Sequence, residues 1–368
     1  MGIRRIIIFN TAQVQDLIGG SQAAIEDSID EFLDQSFEVI FVSYNFNNTK
    51  NYCGPNFSRI FITKFWSNPI YFIFDVLLVF LIINFKKFNF LWVNAANPAF
   101  LFIPFIRSKK SIYTFHGPII EEQTLSLRSN FKIFITKSIY RLFLIYFDFL
   151  HYNTNYVKNC VENEYPFTRK YKYNVLEILV NESKFLRQVN SNKIEFIDKS
   201  KVNILIPRRL VKRTGVSSFI KSLLLIDNSI SINFNFYITG DGEEKHKIIS
   251  LIKDIENINY LGLVNNATLN NIFSNVDAIV IPSIGAEGFC LPAKQAILLN
   301  KYVLHTGQGG LPETLNNYDK SIFFNFDNIK TIENGLMYIL NNKNTITPNL
   351  SNYQFHNNFK TIFNDIRN

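Results

Sequence analysis

Short, wholly apolar runs alternate along this chain with longer stretches in which apolar positions recur every three or four residues. The runs predict strands at Arg5 to Phe9, Glu38 to Ser43, Phe90 to Asn94, Ser111 to Phe115, Phe149 to Asn153 and Val175 to Leu179. A polar stretch from Glu182 to Val202 follows, and strands resume at Asn203 to Pro207, Asn233 to Thr239, Ile258 to Leu261, Ala278 to Pro282 and Tyr302 to His305. Helical spacing fits between them at Gln22 to Asp34, Ile70 to Phe85, Asn130 to Tyr146, Val216 to Leu225, Glu244 to Asp254, Thr268 to Asn275 and Pro292 to Leu299. Strands separated by helices predict βαβ units and parallel sheets. Two such sets joined by a polar linker predict two doubly wound α/β domains, residues 1–185 and 200–352, facing one another across a cleft. The segment from Tyr353 to Ile366 keeps its apolar residues at helical spacing, so residues 353–368 are expected to form a last helix that packs back on the N-terminal domain.

Length supports two domains, because 368 residues exceed what one hydrophobic core usually holds together. A formal charge of +8 favours anionic partners: phosphate ligands, anionic lipid or nucleic acid. No recognition motif supports nucleic acid. Cys53, Cys160 and Cys290 are few, distant and odd in number, which suggests neither a disulfide framework nor a zinc site and fits a reducing cytoplasm. The apolar run at the N-terminus breaks after Phe9 and is too short for a signal peptide. The stretch Ile70 to Phe85 contains Asp75 and Asn84 and falls short of the roughly 20 residues of a membrane span, so it is expected to be a buried helix.

Candidate chemistry concentrates in Pro282-Ser-Ile-Gly-Ala-Glu287-Gly-Phe-Cys-Leu-Pro-Ala-Lys-Gln295 and in Gly307-Gln-Gly-Gly-Leu-Pro-Glu313. The first block follows a strand, so its carboxylate and glycines fall at the carboxyl end of a parallel sheet, where such sheets bind ligands. Glu287 can accept hydroxyl hydrogen bonds while backbone N–H groups at the next helix start receive oxyanions. A nucleotide sugar offers both groups. The basic run Arg208-Arg-Leu-Val-Lys-Arg-Thr-Gly215 follows another strand and opens a helix, a place suited to phosphate, although most charge runs are solvated loops. His116, in Thr-Phe-His-Gly-Pro, ends a strand of the first domain. A lone histidine there is as readily structural as ligand-binding. The fingerprint G-x-G-x-x-G is missing after the first strand, which counts against an oxidoreductase.

These blocks resemble, in order and spacing, the retaining glycosyltransferases of the GT-B fold, specifically glycosyltransferase family four. The likeness is strongest in Ile206 to Val216, Tyr237-Ile-Thr-Gly-Asp-Gly-Glu, Tyr260-Leu-Gly-Leu-Val and Pro282 to Glu313. It implies two Rossmann-like domains and a nucleotide diphosphate sugar as donor. By the resemblance, Glu287 holds hydroxyls of the transferred sugar, His116 lies beside that sugar, and Arg209 neutralises the donor phosphates. The backbone at Phe289, Cys290 and Leu291 faces the sugar and diphosphate, Gly20 lets the chain approach the phosphates, and Val264 lies where the base sits. Gly240-Asp241-Gly242 is expected to shape the cleft, and Glu313 to be structural.

Three departures from the family pattern stand out. Its second glutamate is Gln295 here, which offers the ribose one acceptor and one donor. The glycine after Phe289 is Cys290, which either crowds the diphosphate or points away. The family's lysine is Thr214, with Arg213 as the substitute and Lys212 a weaker one. With no D-x-D and no ligand-spaced cluster, neither cofactor nor metal is expected, and arginines and helix ends must carry the diphosphate charge. The resemblance implies a hexose moved with retention to a growing glycan, lipid-linked or of a surface polysaccharide. The alternatives are a relative that binds nucleotide sugars without transferring them, and a sugar-nucleotide epimerase. The basic amphipathic pattern from Arg128 to Tyr146 fits either an anionic membrane surface or a core helix with a solvated edge. A cytoplasmic protein on the inner face of the membrane is the expected setting.

Overall fold

The computed structural model describes residues 4–10, 28–45, 52–63, 68–94, 99–118, 129–177, 182–189 and 194–343. They fall into two units that divide at residue 181. The expected C-terminal helix and Gly19-Gly20 lie outside the described residues.

In the first unit the sheet order is β3-β4-β2-β1-β5-β6-β7-β8. The strands are β1 (Arg4–Phe9), β2 (Phe37–Asn45), β3 (Tyr52–Gly54), β4 (Phe57–Thr63), β5 (Phe88–Val93), β6 (Ser108–Phe115), β7 (Phe149–Tyr152) and β8 (Lys172–Val175). Every pairing is parallel except the β3–β4 hairpin. Strand β1 shows why the sheet is central: Ile7 and Phe9 enter the core on one face, Ile6 and Ile8 the core on the other. With both faces covered, the strand reads as a continuous apolar run. The hairpin, which the apolar runs do not show, turns through Asn56 at φ 58°, a conformation asparagine tolerates better than most residues. The last strand lies earlier than the expected Val175 to Leu179, because β8 is an edge strand whose first residues are exposed.

The helix Pro69–Phe85 corrects a second expectation. Asn68 caps it, its side chain accepting from Tyr71 N (3.1 Å), and Pro69 suits the first turn, where no N–H is needed. Only Val79 and Ile83 are fully buried, while Ile70, Phe74, Leu77, Leu81 and Phe85 are exposed. The helix is apolar on both sides and covered on one. The helix Asn130–Leu144 starts at Ser129, which accepts from Lys132 N, and buries Leu144 alone. Among the described residues no helix is long and apolar enough to cross a membrane.

The second unit holds a sheet of order β11-β10-β9-β12-β13-β14, parallel throughout. Its strands are β9 (Val202–Pro207), β10 (Phe234–Thr239), β11 (Ile258–Gly262), β12 (Ala278–Ile281), β13 (Tyr302–His305) and β14 (Ser321–Phe323). The chain winds outward from β9 to β11 and then returns to β12 on the other flank of β9. The carboxyl ends of β9 and β12 therefore flank a topological switch point, the ligand-binding place of open α/β sheets. The helix Val216–Leu223 locks one side, burying Val216, Phe219, Ile220 and Leu223 at helical spacing. Each such side chain contributes about 1.5–3 kcal/mol relative to exposure.

Candidate active site

Two loops meet at the switch point of the second sheet, one after β9 and one after β12. Their backbones are laced together, because the Arg213 carbonyl accepts from both Ile284 N and Gly285 N at 2.9 Å. Gly215 makes the approach possible. It sits at φ 70°, and a Cβ there would lie 1.8 Å from the Pro282 carbonyl oxygen. The second glycine-rich block joins in the same way. Gly310 N donates to the Glu287 carbonyl (2.7 Å), and a Cβ on Gly309 would lie 2.4 Å from that oxygen. Gly240 and Gly242 likewise pack against the carbonyls of Arg208 and Leu210, so the turn after β10 buttresses the basic loop.

Within this frame the Glu287 carboxylate is buried and forms an ion pair with Arg208 Nη2. Oε1 also accepts from Ser283 Oγ (2.6 Å), and Arg208 Nη2 donates to the same hydroxyl oxygen (3.1 Å). Burial alone would raise the Glu287 pKa. The charges of Arg208 and Arg213, with the Ser283 hydrogen bond, outweigh it and hold the acid below its ordinary value. Arg208 Nε is buried with no hydrogen-bond partner among the described residues. Arg208 Nη1 donates to Cys290 Sγ (3.3 Å), and the thiol is pushed up to about 11, chiefly by burial. Cys290 is turned into the core group of Ala293, Ile297 and Leu205. It starts the helix Leu291–Leu298, which has no side-chain cap.

The other expected residues take varied places. Arg209, the arginine matched by resemblance, is exposed, and its neighbour Arg208 is the one that reaches Glu287. Arg213 is half-buried and its charge acts on Glu287, whereas Lys212 is exposed. Thr214 is buried and turned into its own loop, where the hydroxyl donates to the carbonyls of Arg209 (2.6 Å) and Val211 (2.7 Å). Phe289 is buried, while Leu291 and Gln295 are half-buried on the helix that Cys290 starts. Val264 follows edge strand β11 and is partly buried against the core group that also holds Cys290. Glu313 is half-buried in the turn after Gly310. Lys294, which the motif reading passed over, is buried and paired with Glu182 (3.1 Å).

In the first unit the carboxyl ends of four adjacent strands present a row of polar side chains. Asn94 Nδ2 donates to Asn10 Oδ1 (3.3 Å) across that sheet's own switch point, between β1 and β5. His116 Nε2 bonds Asn94 Oδ1 (2.8 Å), and its Nδ1 bonds Asn153 Nδ2 (3.1 Å). An amide N–H on Nδ1 and an amide oxygen on Nε2 define a neutral ring with its proton on Nε2. The His116 pKa is lowered to about 4, first by burial and then by the nearby His151. Asn153 is buried, and its Oδ1 has no partner among the described residues. Sequence reasoning found His116, marked Asn94 only through a weaker family likeness of Asn94 to Pro98, and missed Asn10 and Asn153. The available signal was their position, each one residue beyond a strand end.

Among the described residues no group of three or more His, Cys, Asp or Glu converges as metal ligands. Two units, each built on a doubly wound sheet, have the architecture of the GT-B fold, and the family match together with the similar structures supports a glycosyltransferase. Residues 188–354 match the family described as Glycosyl transferases group 1. The fold recurs in the sucrose-phosphate synthase of Thermosynechococcus elongatus, at 13% identity and a TM-score of 0.71 over 92% of this chain and 90% of that one. It recurs also in a glycosyltransferase from Rickettsia africae, at 18% identity and a TM-score of 0.69 over 94% and 90%. HepE of Anabaena, solved with UDP and glucose, gives 12% identity and a TM-score of 0.66 over 92% and 90%. No curated protein matches the chain by sequence.

Proposed function

We propose that this protein moves a hexose from a nucleotide diphosphate sugar to a growing glycan, with retention at the anomeric carbon and without a metal. The observation that carries the reading is the buried Arg208–Glu287–Ser283 cluster at the switch point of a glycosyl transferases group 1 domain. Glu287 is held ionised and supplies acceptors for sugar hydroxyls. Arg213 and the unpaired Nε–H of Arg208 supply donors for an oxyanion, as does the start of the helix Leu291–Leu298. The expected Arg209 is exposed and stands free of the buried pair, available to phosphate. UDP and UDP-glucose in the similar HepE structures support a nucleotide-sugar donor.

In this reading the leaving phosphate takes the acceptor proton on the face it departs from, so no protein nucleophile is needed. The protein stabilises the charge developing on the leaving group and orients the acceptor. The row Asn10, Asn94, His116 and Asn153 offers neutral donors and acceptors for hydroxyls, which suits a sugar or glycan. A lipid-linked or surface-polysaccharide acceptor is proposed on the resemblance.

The test is to screen nucleotide sugars by thermal shift and then to follow transfer and donor hydrolysis by NMR, with EDTA present. The expected result is a raised melting temperature with one donor, EDTA-resistant turnover, a retained anomer, and loss of both binding and turnover on Glu287→Ala. A folded Glu287→Ala protein with undiminished turnover would overturn the reading.

A further inference from the structure

One face of the first sheet is covered by the helix Pro69–Phe85, the turn Ile103–Phe105 and the helix Asn130–Leu144, all packed on the same core. Phe80 packs against Phe102 (5.2 Å between ring centroids) and Phe105 (5.1 Å), and Phe100 stacks on Phe143 (4.7 Å). These ring contacts join the three segments into one layer. Its outer side is apolar. Ile70, Phe74, Leu77, Leu81 and Phe85 form a stripe along the first helix, each between 53% and 85% exposed. Phe131, Phe134, Leu142 and Ile145 repeat the pattern on the second, between 61% and 70% exposed. Apolar patches larger than a few hundred Å² on a soluble protein mark interaction sites.

The charges choose the partner. Residues 68–87, 99–110 and 129–146 carry eight lysines and arginines against one carboxylate. That carboxylate, Asp75, is turned inward, its Oδ2 accepting from Thr63 N (2.8 Å). Lys86 and Lys137 reach Glu38 and Glu164, while Lys87, Arg107, Lys132 and Arg141 are exposed. A second copy meeting this surface face to face would press two basic rims together. An anionic bilayer offers acyl chains to the stripes and phosphates to the rim. The first helix has 17 residues, and at 1.5 Å each it is about 25 Å long, short of the roughly 30 Å hydrocarbon core. With its inner face on the sheet, it lies in the interface plane.

We propose that this layer is a membrane-docking surface that seats the first unit on anionic lipid, the helix Pro69–Phe85 contributing the main apolar stripe. The sequence reading centred such contact on the later helix, with Lys86-Lys87 and Lys109-Lys110 adding charge to the same half. The inference rests on exposed side chains and their charges, independently of the proposed transfer reaction.

The full chain is sedimented with vesicles of phosphatidylcholine containing phosphatidylglycerol, and in parallel with pure phosphatidylcholine. Wild-type protein is expected on the anionic vesicles and several-fold less on the neutral ones. The variant Phe74→Ser/Leu77→Ser/Leu81→Ser is expected to bind at least about tenfold less, given what each lost apolar side chain contributes. The variant Lys87→Glu/Arg141→Glu is expected to lose the anionic preference. Because the stripe is exposed, the triple variant should keep the wild-type melting temperature and its response to nucleotide sugar, which separates lost docking from lost folding or a failed donor site. Three results would overturn the inference: no wild-type binding to anionic vesicles, undiminished binding by the triple variant, or a lipid-free dimer that the triple variant turns into a monomer.

Discussion

Arg208 and Glu287 stand in the loops that follow the two strands flanking the switch point of the second sheet, and their side chains meet in a buried ion pair. Seventy-nine residues separate them in sequence, so the contact forms only when β9 and β12 have paired.

Removing one member leaves the other charged and buried, which costs about 3–5 kcal/mol. Arg208→Ala and Glu287→Ala are each expected to lose that much in urea unfolding. The double variant Arg208→Met/Glu287→Leu should recover most of the loss, because two apolar groups leave no stranded charge. Donor binding, followed by thermal shift, should stay absent in it.

Histidine burial sets the acid limit. His116, His151 and His305 are each lowered to about 4 from an ordinary 6.5, chiefly by burial. The unfolded chain takes up protons between those values that the folded chain refuses, so stability is complete above 6.5 and falls as pH drops toward 4. The melting temperature is expected to be flat near neutrality and to decline through that window. His151→Gln should lessen the slope. His151 is the apt choice because it is buried between the Thr114 hydroxyl (3.1 Å) and the Leu176 carbonyl (3.0 Å) and is not itself a member of the candidate site row.

A pair of glycines separates backbone strain from crowding. Gly215 and Gly262 share a positive φ, 70° and 76°, yet a Cβ on Gly215 would strike the Pro282 carbonyl while one on Gly262 meets nothing within 4 Å. Gly262→Ala should cost about 1 kcal/mol, the price of the left-handed conformation. Gly215→Ala should cost several-fold more and weaken donor binding, since the loops after β9 and β12 must part. Equal losses in calorimetry would show that the close approach is not required.

Much of this was legible in the sequence, for a reason that also marks its limit. Interior strands such as β9 and β13 have both faces covered, so an apolar run announces them within a residue. Strand β9 is buried at all six positions, and without polar alternation nothing in the sequence says which face its next residues take. Hence the resemblance set Arg209 on the donor phosphates without showing that its neighbour Arg208 turns inward to the Glu287 carboxylate. Edge elements were harder: β3, β8 and β14 carry few buried side chains, and the hairpin's Pro55-Asn56 turn was its only signal. The helix Pro69–Phe85 was misread because its composition cannot show that one apolar side lacks a protein partner.

The three thiols should differ in reactivity. Cys53 is exposed, whereas Cys290 is buried with its pKa pushed up to about 11, so little thiolate forms near neutrality. A chromogenic disulfide reagent is expected to titrate Cys53 first and Cys290 only on unfolding, a sequence that Cys53→Ser would confirm by removing the fast phase.

The row of strand-end amides around His116 has one more consequence. With the imidazole held neutral, these four side chains carry no net charge, so whatever hydroxyls they meet are held by short-range dipoles alone. Counter-ions shield monopoles far more than such contacts. If the proposed reading holds, raising ionic strength should loosen a phosphorylated donor from the arginines of the second unit far more than it loosens an uncharged saccharide from this row.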